Sequence, residues 1–261
     1  MKQLENIDSW DDDEIERYAH HFVLPDIGTK GQEAIKHARV FIIGMGGLGS
    51  PLLLYLAAAG VGTIGIIDDD AIETSNLQRQ ILYTTGDIHK RKAIQAQRHA
   101  HALNPLITIN AHPSRLTKHN IDALIGHYDI IADGSDNFAT RYLVNDACYR
   151  LKKTLVSGAC QGFEGQVASF RPWQDSSSPC YRCLFPEQDS NTGEEGCQRA
   201  GIVAPLAGII GSLQALDVIK HIVANPAPST HTLLLYDGRH HRLRLIHVTK
   251  NKACPLCGYK K

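Results

Sequence analysis

Three glycines and an aspartate form the first pattern in this sequence that indicates chemistry. Gly44, Gly46 and Gly49 are spaced as Gly-x-Gly-x-x-Gly, and Asp68 lies 19 residues beyond the last of them. Glycines at this spacing permit a tight turn and a close approach of the backbone, and the start of the following helix favours phosphate. A carboxylate at the end of the next strand accepts hydrogen bonds from ribose hydroxyls. The pattern predicts a nucleotide site, although such glycines also fit a plain turn between a strand and a helix.

Further charged residues favour a triphosphate over a dinucleotide. Residues 75–80, Ser-Asn-Leu-Gln-Arg-Gln, follow the acid, Lys92 stands at a predicted helix start, and Asp136 follows a predicted strand. Arginine and lysine offset the charge of phosphates, and a carboxylate holds Mg²⁺. Arg79, Lys92 and Asp136 are therefore candidate catalytic residues. By composition alone, either cation would be an ordinary surface residue.

Four of the seven cysteines fall into two Cys-x-x-Cys pairs, Cys180/Cys183 and Cys254/Cys257. An odd number of cysteines argues against a closed disulfide framework, and in a reducing compartment such pairs are more often metal ligands or redox centres. Together they are compatible with a tetrahedral Zn²⁺ site or with two redox pairs. Because 70 residues separate Cys183 from Cys254, only the tertiary fold can bring the pairs together.

The remaining cysteines divide into one candidate nucleophile and two candidate core residues. Cys197 lies in a polar stretch with Arg199 nearby, and a neighbouring cation favours the nucleophilic thiolate. A lone cysteine in a loop is nevertheless more often inert. Cys148 and Cys160 fall on predicted core elements, where a thiol behaves as a small hydrophobic side chain.

The elements that must position these residues alternate between strand and helix. Strands are predicted at 40–44, 63–67, 107–110, 129–133 and 154–157, and helices at 50–60, 92–103, 118–126 and 137–151, with Ser50 as a helix cap. This alternation predicts an α/β fold with a doubly wound, Rossmann-like, mostly parallel sheet and right-handed crossovers.

The pattern changes after about residue 160. A strand at 165–170 is followed by a polar loop at 186–201, a long helix at 204–224 and a hairpin around Asp237-Gly238. These elements predict an additional C-terminal β region that carries both cysteine pairs.

Composition and charge exclude several classes of protein. The chain has 27 basic and 27 acidic residues, so nothing suggests a nucleic-acid partner. The N-terminus is acidic and polar, unlike a signal peptide, and the most apolar run, 202–222, is interrupted by Pro205, Asp217 and Lys220. We expect a cytoplasmic protein with no membrane or nucleic-acid partner.

Four stretches of the chain resemble the ThiF/MoeB/HesA family of bacterial ubiquitin-activating-type adenylyltransferases. They are GMGGLGSPLLLYLAAAGVGTIGIIDDDAIETSNLQRQILYTTGDI, CYRCLFPE, AGIVAPLAGIIGSLQALDVIK and CPLCG, and the similarity extends over nearly the whole chain from about Arg17. The resemblance implies that ATP activates the C-terminal carboxylate of a ubiquitin-like sulfur-carrier protein ending in Gly-Gly. It also implies a homodimer, Mg²⁺, a structural Zn²⁺, and a cysteine desulfurase or rhodanese as sulfur donor.

The resemblance assigns roles to individual residues. By motif, the expected contacts to ATP or its magnesium are Gly47, Asp68, Ser75, Asn76, Arg79, Lys92, Asp136 and Asn137. Neighbouring residues of the same motifs complete the expected nucleotide site: Gly44, Gly46, Gly49, Asp70, Leu77 and Gln78. Cys197 matches a position implicated in acyl or persulfide transfer. Residues 1–38 then form an N-terminal helical segment, 39–160 the ATP-binding region, and 161–261 the zinc- and carrier-binding region of the same domain.

One position departs from the family pattern. Near the N-terminus the family carries Arg-Tyr-x-Arg-Gln, whose second arginine reaches the phosphates in the neighbouring subunit. Here the stretch is Arg17-Tyr18-Ala19-His20-His21. Histidine is shorter and mostly neutral at pH 7, so it lacks the fixed bidentate charge of arginine. Either His20 contributes more weakly, Arg17 substitutes, or turnover is reduced.

Three other functions remain open at this stage. They are an NAD-dependent oxidoreductase, a non-catalytic scaffold, and a tRNA-modifying member of the same family. The motifs leave open whether the carrier belongs to thiamine or to molybdopterin biosynthesis. Because the sequence stops at Lys261, we expect no fused rhodanese domain within this polypeptide.

Overall fold

The structure is a computed structural model that describes residues 10–187, 201–224 and 229–258. The strands, numbered along the chain, are β1 (Arg39–Ile43), β2 (Thr63–Ile67), β3 (Thr108–His112), β4 (Ile130–Asp133), β5 (Thr154–Gln161), β6 (Glu164–Phe170), β7 (Thr232–Asp237) and β8 (Arg242–His247). Within the described residues they form one eight-stranded sheet in the order β3-β2-β1-β4-β5-β6-β7-β8. Strands β1 to β5 run parallel, and β6, β7 and β8 continue the sheet in antiparallel fashion.

Helices connect the strands. They are α1 (Asp12–Arg17), α2 (Ala19–Phe22), α3 (Gly28–His37), α4 (Gly49–Ala58), α5 (Lys92–Leu103), α6 (Ile121–Ile125), α7 (Phe138–Leu151), α8 (Tyr181–Leu184) and α9 (Ala204–Val223). The alternation through α7 confirms the Rossmann-like, mostly parallel fold that the sequence predicted.

The parallel strands are buried on both faces because helices cover each side. Side chains alternate along a strand, so Val40 and Ile42 of β1 join one core cluster while Phe41 and Ile43 join another. The first cluster lies under α3, α4, α5 and α9, and the second under α6, α7 and α8. Strands buried on both faces need nearly continuous apolar sequence, which is why residues 40–43 lack alternation.

The junction between the two parts of the sheet differs from the prediction. Strand β5 continues four residues beyond Ser157 to Gln161 and turns into β6 at Gly162, whose φ is +58°. Strand 107–110 is shifted to Thr108–His112, and helix 118–126 shortens to Ile121–Ile125. The turn between β7 and β8 is longer than a two-residue Asp-Gly turn, because Asp237 pairs with Arg242 across four intervening residues.

The N-terminal helices dock through an aromatic cluster. Trp10, Tyr18 and Phe22 pack edge to face, and Asn104 donates hydrogen bonds to the Tyr18 hydroxyl at 2.9 Å and to the Ala57 carbonyl at 2.7 Å. These contacts fix α1 and α2 against the helices that flank the parallel sheet.

Helix α9 is long and apolar enough to cross a membrane by length and composition alone. In this fold it packs on α3, on α4 and on strands β4 to β6. Leu206, Ile210 and Val218 belong to the core cluster on that face of the sheet. The helix is therefore a core element of this fold.

Candidate functional site

A cleft of about 1110 Å³ opens where the parallel strands end. Its wall includes Ile43 of β1, Ile67 of β2, Gly134 after β4 and Ala159 of β5, so it lies at the carboxyl edge of the sheet, where α/β proteins of this type bind ligands. Most of the residues predicted to contact nucleotide line it: Gly44, Gly46, Gly47, Asp68, Asp70, Asn76, Gln78, Arg79, Lys92, Asp136 and Asn137.

The glycine loop has the geometry that its spacing predicts. Gly44 has a φ of +83°, which side-chain-bearing residues rarely adopt. A Cβ on Gly49 would lie 1.9 Å from the Gly44 carbonyl oxygen, so Gly49 allows the loop to fold back on itself. Gly46 lines the cleft, and a Cβ added there would be in ordinary contact with Gln80 Nε2 at 3.7 Å. The loop therefore fits a phosphate-bearing group.

The predicted helix cap at Ser50 is wrong. Helix α4 begins at Gly49, and the Ser50 hydroxyl donates to the Gly46 carbonyl at 2.7 Å from within the first turn. The serine therefore closes the glycine loop from the helix side, since its amide also donates to the Gly46 carbonyl, at 3.0 Å.

Asp68 connects the loop to the second strand. Its carboxylate accepts hydrogen bonds from the Met45 amide at 2.7 Å and from the Asp70 amide at 2.9 Å. Burial raises the pKa of Asp68, while the Lys92 charge and these hydrogen bonds oppose that shift. Lys92 is buried at the start of α5, and its Nζ pairs with Asp70 Oδ2 at 2.7 Å.

The segment after Asp70 presents its cation to the cleft. Arg79 donates through Nη1 to the Ser75 carbonyl at 3.2 Å, and Gln78 donates to the Ile202 carbonyl at 3.2 Å. Ser75 and Leu77 lie outside the cleft wall that the described residues form. Ser75 is exposed with its hydroxyl directed to Glu73, and Leu77 packs against the core.

Asp136 and Asn137 lie on the opposite wall, in the loop from β4 to α7. Asn137 caps the helix, since its Oδ1 accepts from the Thr140 amide at 2.9 Å, and its Nδ2 lies 3.4 Å from Asp136 Oδ1. The Asp136 carboxylate is exposed to the cleft. The Asp136 carboxylate offers the hard oxygen ligands that Mg²⁺ takes in proteins, while the Asn137 oxygen is engaged by the Thr140 amide.

Three residues of the cleft wall were missed or misjudged from sequence. Gln80 is 3% exposed, and its Oε1 has no hydrogen-bond partner among the described residues. Arg141 is buried in α7 on the same helix face as Val144 and Cys148, although an arginine considered by residue type alone is expected at the surface. Cys160, predicted to be buried core, is half-buried and lines the cleft, and burial raises the pKa of its thiol to about 11. Only Gln80 had a signal in the sequence, because it lies next to Arg79.

The two cysteine pairs meet in space. The Sγ atoms of Cys180, Cys183, Cys254 and Cys257 all lie within 4.8 Å of one another, with separations of 3.9, 3.6 and 3.4 Å between neighbours. Four thiolates around one Zn²⁺ at about 2.3 Å would lie about 3.8 Å apart, so this arrangement fits a tetrahedral metal. The Cys183 pKa is lowered, first by hydrogen bonding from Cys180, which favours a thiolate in the cluster.

The candidate nucleophile and the N-terminal position that departs from the family pattern lie in different parts of the chain. Cys197 lies outside the described residues. His20 is exposed on α2, while His21 Nδ1 contacts Gln32 Oε1 at 2.6 Å. Arg17 donates to the Leu103 carbonyl at 3.0 Å, so its guanidinium is already engaged with the end of α5.

Fold and site together define a nucleotide-binding α/β protein whose parallel sheet is extended by antiparallel strands and which carries a four-cysteine cluster. Solved structures share this fold: that of Escherichia coli MccB with ATP has a TM-score of 0.80 at 24% identity, covering 93% of this chain and 73% of that one. The structure of PaaA has a TM-score of 0.77 at 22% identity, covering 93% and 76%.

Sequence comparison identifies the family. A model of the ThiF family matches residues 18–256, and the chain belongs to this family. The sulfur carrier protein adenylyltransferase of Thermus thermophilus is 45% identical over 95% of this chain and 93% of its own length. The sulfur carrier protein ThiS adenylyltransferase of Escherichia coli is 41% identical over 93% and 94%. The chain spans 62% of the probable adenylyltransferase/sulfurtransferase MoeZ of Mycobacterium tuberculosis, at 42% identity.

Proposed function

We propose that this chain is an ATP-dependent adenylyltransferase that activates the C-terminal glycine carboxylate of a ubiquitin-like sulfur-carrier protein. The observation that carries the proposal is the convergence of a glycine loop, two cations and an exposed acid on one cleft. Full-length relatives at 41–45% identity carry the name of this activity. An NAD-dependent oxidoreductase has no evident use for Arg79, Lys92 and Asp136 in the same cleft.

The residues of the cleft have separable roles in the reaction. Asp68 orients the ribose, while Arg79 and Lys92 bind the phosphates and offset their developing charge. Lys92 leaves its pairing with Asp70 to do so, and the strongly charged triphosphate is the better partner. Asp136, with Asn137 beside it, would hold Mg²⁺, which neutralises phosphate charge when bound.

Adenylation itself is an in-line displacement. The carrier carboxylate attacks the α-phosphorus of ATP, the bond to the bridging oxygen breaks, and pyrophosphate leaves with the electron pair. The product is an acyl adenylate. The protein contributes position and charge, since no side chain needs to form a covalent bond in this step.

The carrier would dock on the antiparallel end of the sheet. Strand β8 is exposed along its whole length, and its Leu243 and Leu245 are 54% and 69% exposed. Tyr236 and Arg244 of the same hairpin line the cleft, so a body resting on the hairpin can extend its C-terminus into the nucleotide site. Uncovered apolar side chains on a sheet edge are typical of surfaces that bind another protein.

The cysteine cluster, the assembly and the sulfur donor belong to the same proposal. The four cysteines hold a structural Zn²⁺ that supports this end of the sheet, and the enzyme acts in the cytoplasm as a homodimer. A persulfide sulfur, carried by Cys197 or by an external desulfurase or rhodanese, then attacks the acyl carbon, and AMP leaves. A second thiol cleaves the resulting S–S bond and releases the carrier as a thiocarboxylate. The carrier serves thiamine or molybdopterin biosynthesis.

ATP–pyrophosphate exchange tests the central claim. The protein is mixed with MgATP, labelled pyrophosphate, and either the thiamine-pathway or the molybdopterin-pathway carrier. We expect exchange with one carrier and none with the same carrier lacking its final glycine. Exchange that is independent of any carrier, or an absence of exchange with both carriers despite measurable ATP binding, would refute carrier adenylation.

A further inference from the structure

The direction of the Asp136 carboxylate depends on the backbone that carries it. Asp136 is exposed, and Asn137, whose Oδ1 caps α7, gives the Asp136 carboxylate only a long hydrogen bond of 3.4 Å from Nδ2. An exposed aspartate on a loop would sample several directions, whereas a metal ligand must hold one. The residues before and after Asp136 therefore determine whether its carboxylate is held in the direction that a metal ligand needs.

The residue before it, Ser135, is held at both ends of its backbone. Its amide donates to Asp133 Oδ1 at 2.9 Å. Its carbonyl accepts two hydrogen bonds from Arg141, from Nε at 3.2 Å and from Nη2 at 2.8 Å. Because the peptide unit is planar, fixing the Ser135 carbonyl also fixes the amide nitrogen of Asp136. Arg141 thereby sets the plane from which the acid projects.

Helix stability does not explain an arginine at this place. Asn137 is the N-cap of α7, so Arg141 stands just after the first turn, near the end where the helix dipole disfavours cations. Arg141 is also only 8% exposed, and burying a charged side chain costs free energy. The hydrogen bonds from Arg141 to the Ser135 carbonyl therefore explain the arginine better than helix stability does.

The buried acid on the other side of Ser135 completes the arrangement. Asp133 is 1% exposed at the end of β4, and burial raises its pKa, while the Arg141 charge lowers it. Asp133 and Arg141 thus hold the amide and the carbonyl of one residue from two different elements, a strand and a helix. Both elements are parts of the rigid parallel sheet region.

We infer that Arg141 is a positioning residue that aims Asp136 at the magnesium of bound MgATP through the Ser135 carbonyl. The inference rests on the proposed function. Arg141 lines the cleft, but its hydrogen bonds go to the backbone. Its loss should therefore reduce the preference for MgATP over metal-free ATP more than it reduces the affinity for metal-free ATP.

Calorimetric binding separates these effects without relying on turnover. ATP is titrated into wild type, Arg141→Gln and Arg141→Lys, each with Mg²⁺ and with EDTA. We expect wild type to bind MgATP more tightly than metal-free ATP. Arg141→Gln should lose about tenfold of that preference, the scale found for residues that orient metal ligands, with metal-free ATP bound within about twofold of wild type. Arg141→Lys keeps the charge and one hydrogen bond, and should lie between the two.

A matched control distinguishes positioning from general loss of stability. Arg171 is half-buried outside the cleft and donates through Nε to Thr154 Oγ1 at 2.9 Å. Arg171→Gln should keep the wild-type preference for MgATP even if its melting temperature falls.

Three results would overturn the inference. An Arg141→Gln variant with the wild-type preference would make Arg141 structural only, while the proposed function would stand. Equal weakening of MgATP and metal-free ATP would instead place the guanidinium on the nucleotide. A wild-type protein with no preference for MgATP would remove the role of Asp136 in the proposed function, and this inference with it.

Discussion

The two ends of the sheet differ in how far their strands are buried. At the parallel end, β1 and β4 are buried on both faces by helices, and their side chains belong to the two core clusters. At the antiparallel end, β7 is half-buried and β8 is exposed along its length. In the described part of the chain, the sheet therefore changes from strands buried in the core to an exposed edge strand.

This difference separates fixed chemistry from partner recognition. Loops that extend from buried parallel strands are held by the core, which suits phosphate and metal contacts that tolerate little movement. An exposed edge with apolar side chains is a liability for a soluble protein unless something covers it. The four-cysteine cluster packs on Tyr149 near the end of α7. Because Cys254 and Cys257 follow β8, the cluster connects the segment after the exposed strand to a helix of the packed end.

The largest expected effect comes from breaking that connection. Cys254→Ser should reduce the zinc content from about one per chain to none and lower the melting temperature by roughly 5–10 °C, because metal binding contributes directly to folding. Elemental analysis and calorimetry measure both. Cys148→Ala, which removes a buried thiol from the core cluster instead, should lose stability but keep its metal. A metal-free wild type with four freely titrating thiols in this cluster would rule the zinc site out.

The chemistry of the packed end comes next. Arg79→Ala and Asp136→Ala should each lower pyrophosphate exchange by about a hundredfold, the scale of losing one charge-stabilising contact. Arg150→Ala and Asp122→Ala are matched controls, since these residues pair with each other outside the cleft and are exposed. Near-wild-type exchange in the Arg79 and Asp136 variants would remove both residues from the site.

A smaller effect is expected at the open end. Leu245→Glu should raise the KM for the carrier by about tenfold, as for loss of an apolar interface contact, and leave ATP affinity unchanged. Ile94→Glu alters an exposed apolar residue on α5 and serves as the control. If both variants use the carrier like wild type, the hairpin is not the docking surface.

The smallest effect concerns stability within the packed end. Burial, assisted by the charges of Arg171 and Lys220, lowers the pKa of His221 to about 3 from its ordinary value near 6.5. Below about pH 6.5 the His221 imidazole is protonated in the unfolded chain but stays neutral in the folded chain. The free energy of unfolding therefore decreases as the pH falls toward 3. His221→Leu should flatten this part of the curve of unfolding free energy against pH. The exposed His119→Leu should follow wild type, and identical curves for all three proteins would contradict the assignment.

Much of the parallel end was predictable because its signals are local. The glycine spacing and the apolar strands each act within a few residues, and the structure confirms helix α7 and helix α9 close to their predicted limits. Where local signals compete, prediction was wrong. Ser50 is a good cap by residue type, but the helix begins at Gly49 with Leu48 as its cap, two residues before the predicted cap.

The sequence by itself determined the order of strands and helices, the glycine loop and the residue types that phosphate and metal chemistry require. Only the tertiary structure brought the two cysteine pairs together and paired buried Lys92 with Asp70. It also left β8 exposed and placed Arg141 against the Ser135 carbonyl. These features depend on contacts between residues that are distant in sequence, or on which surfaces the rest of the chain leaves exposed. Neither produces a periodic pattern in the sequence.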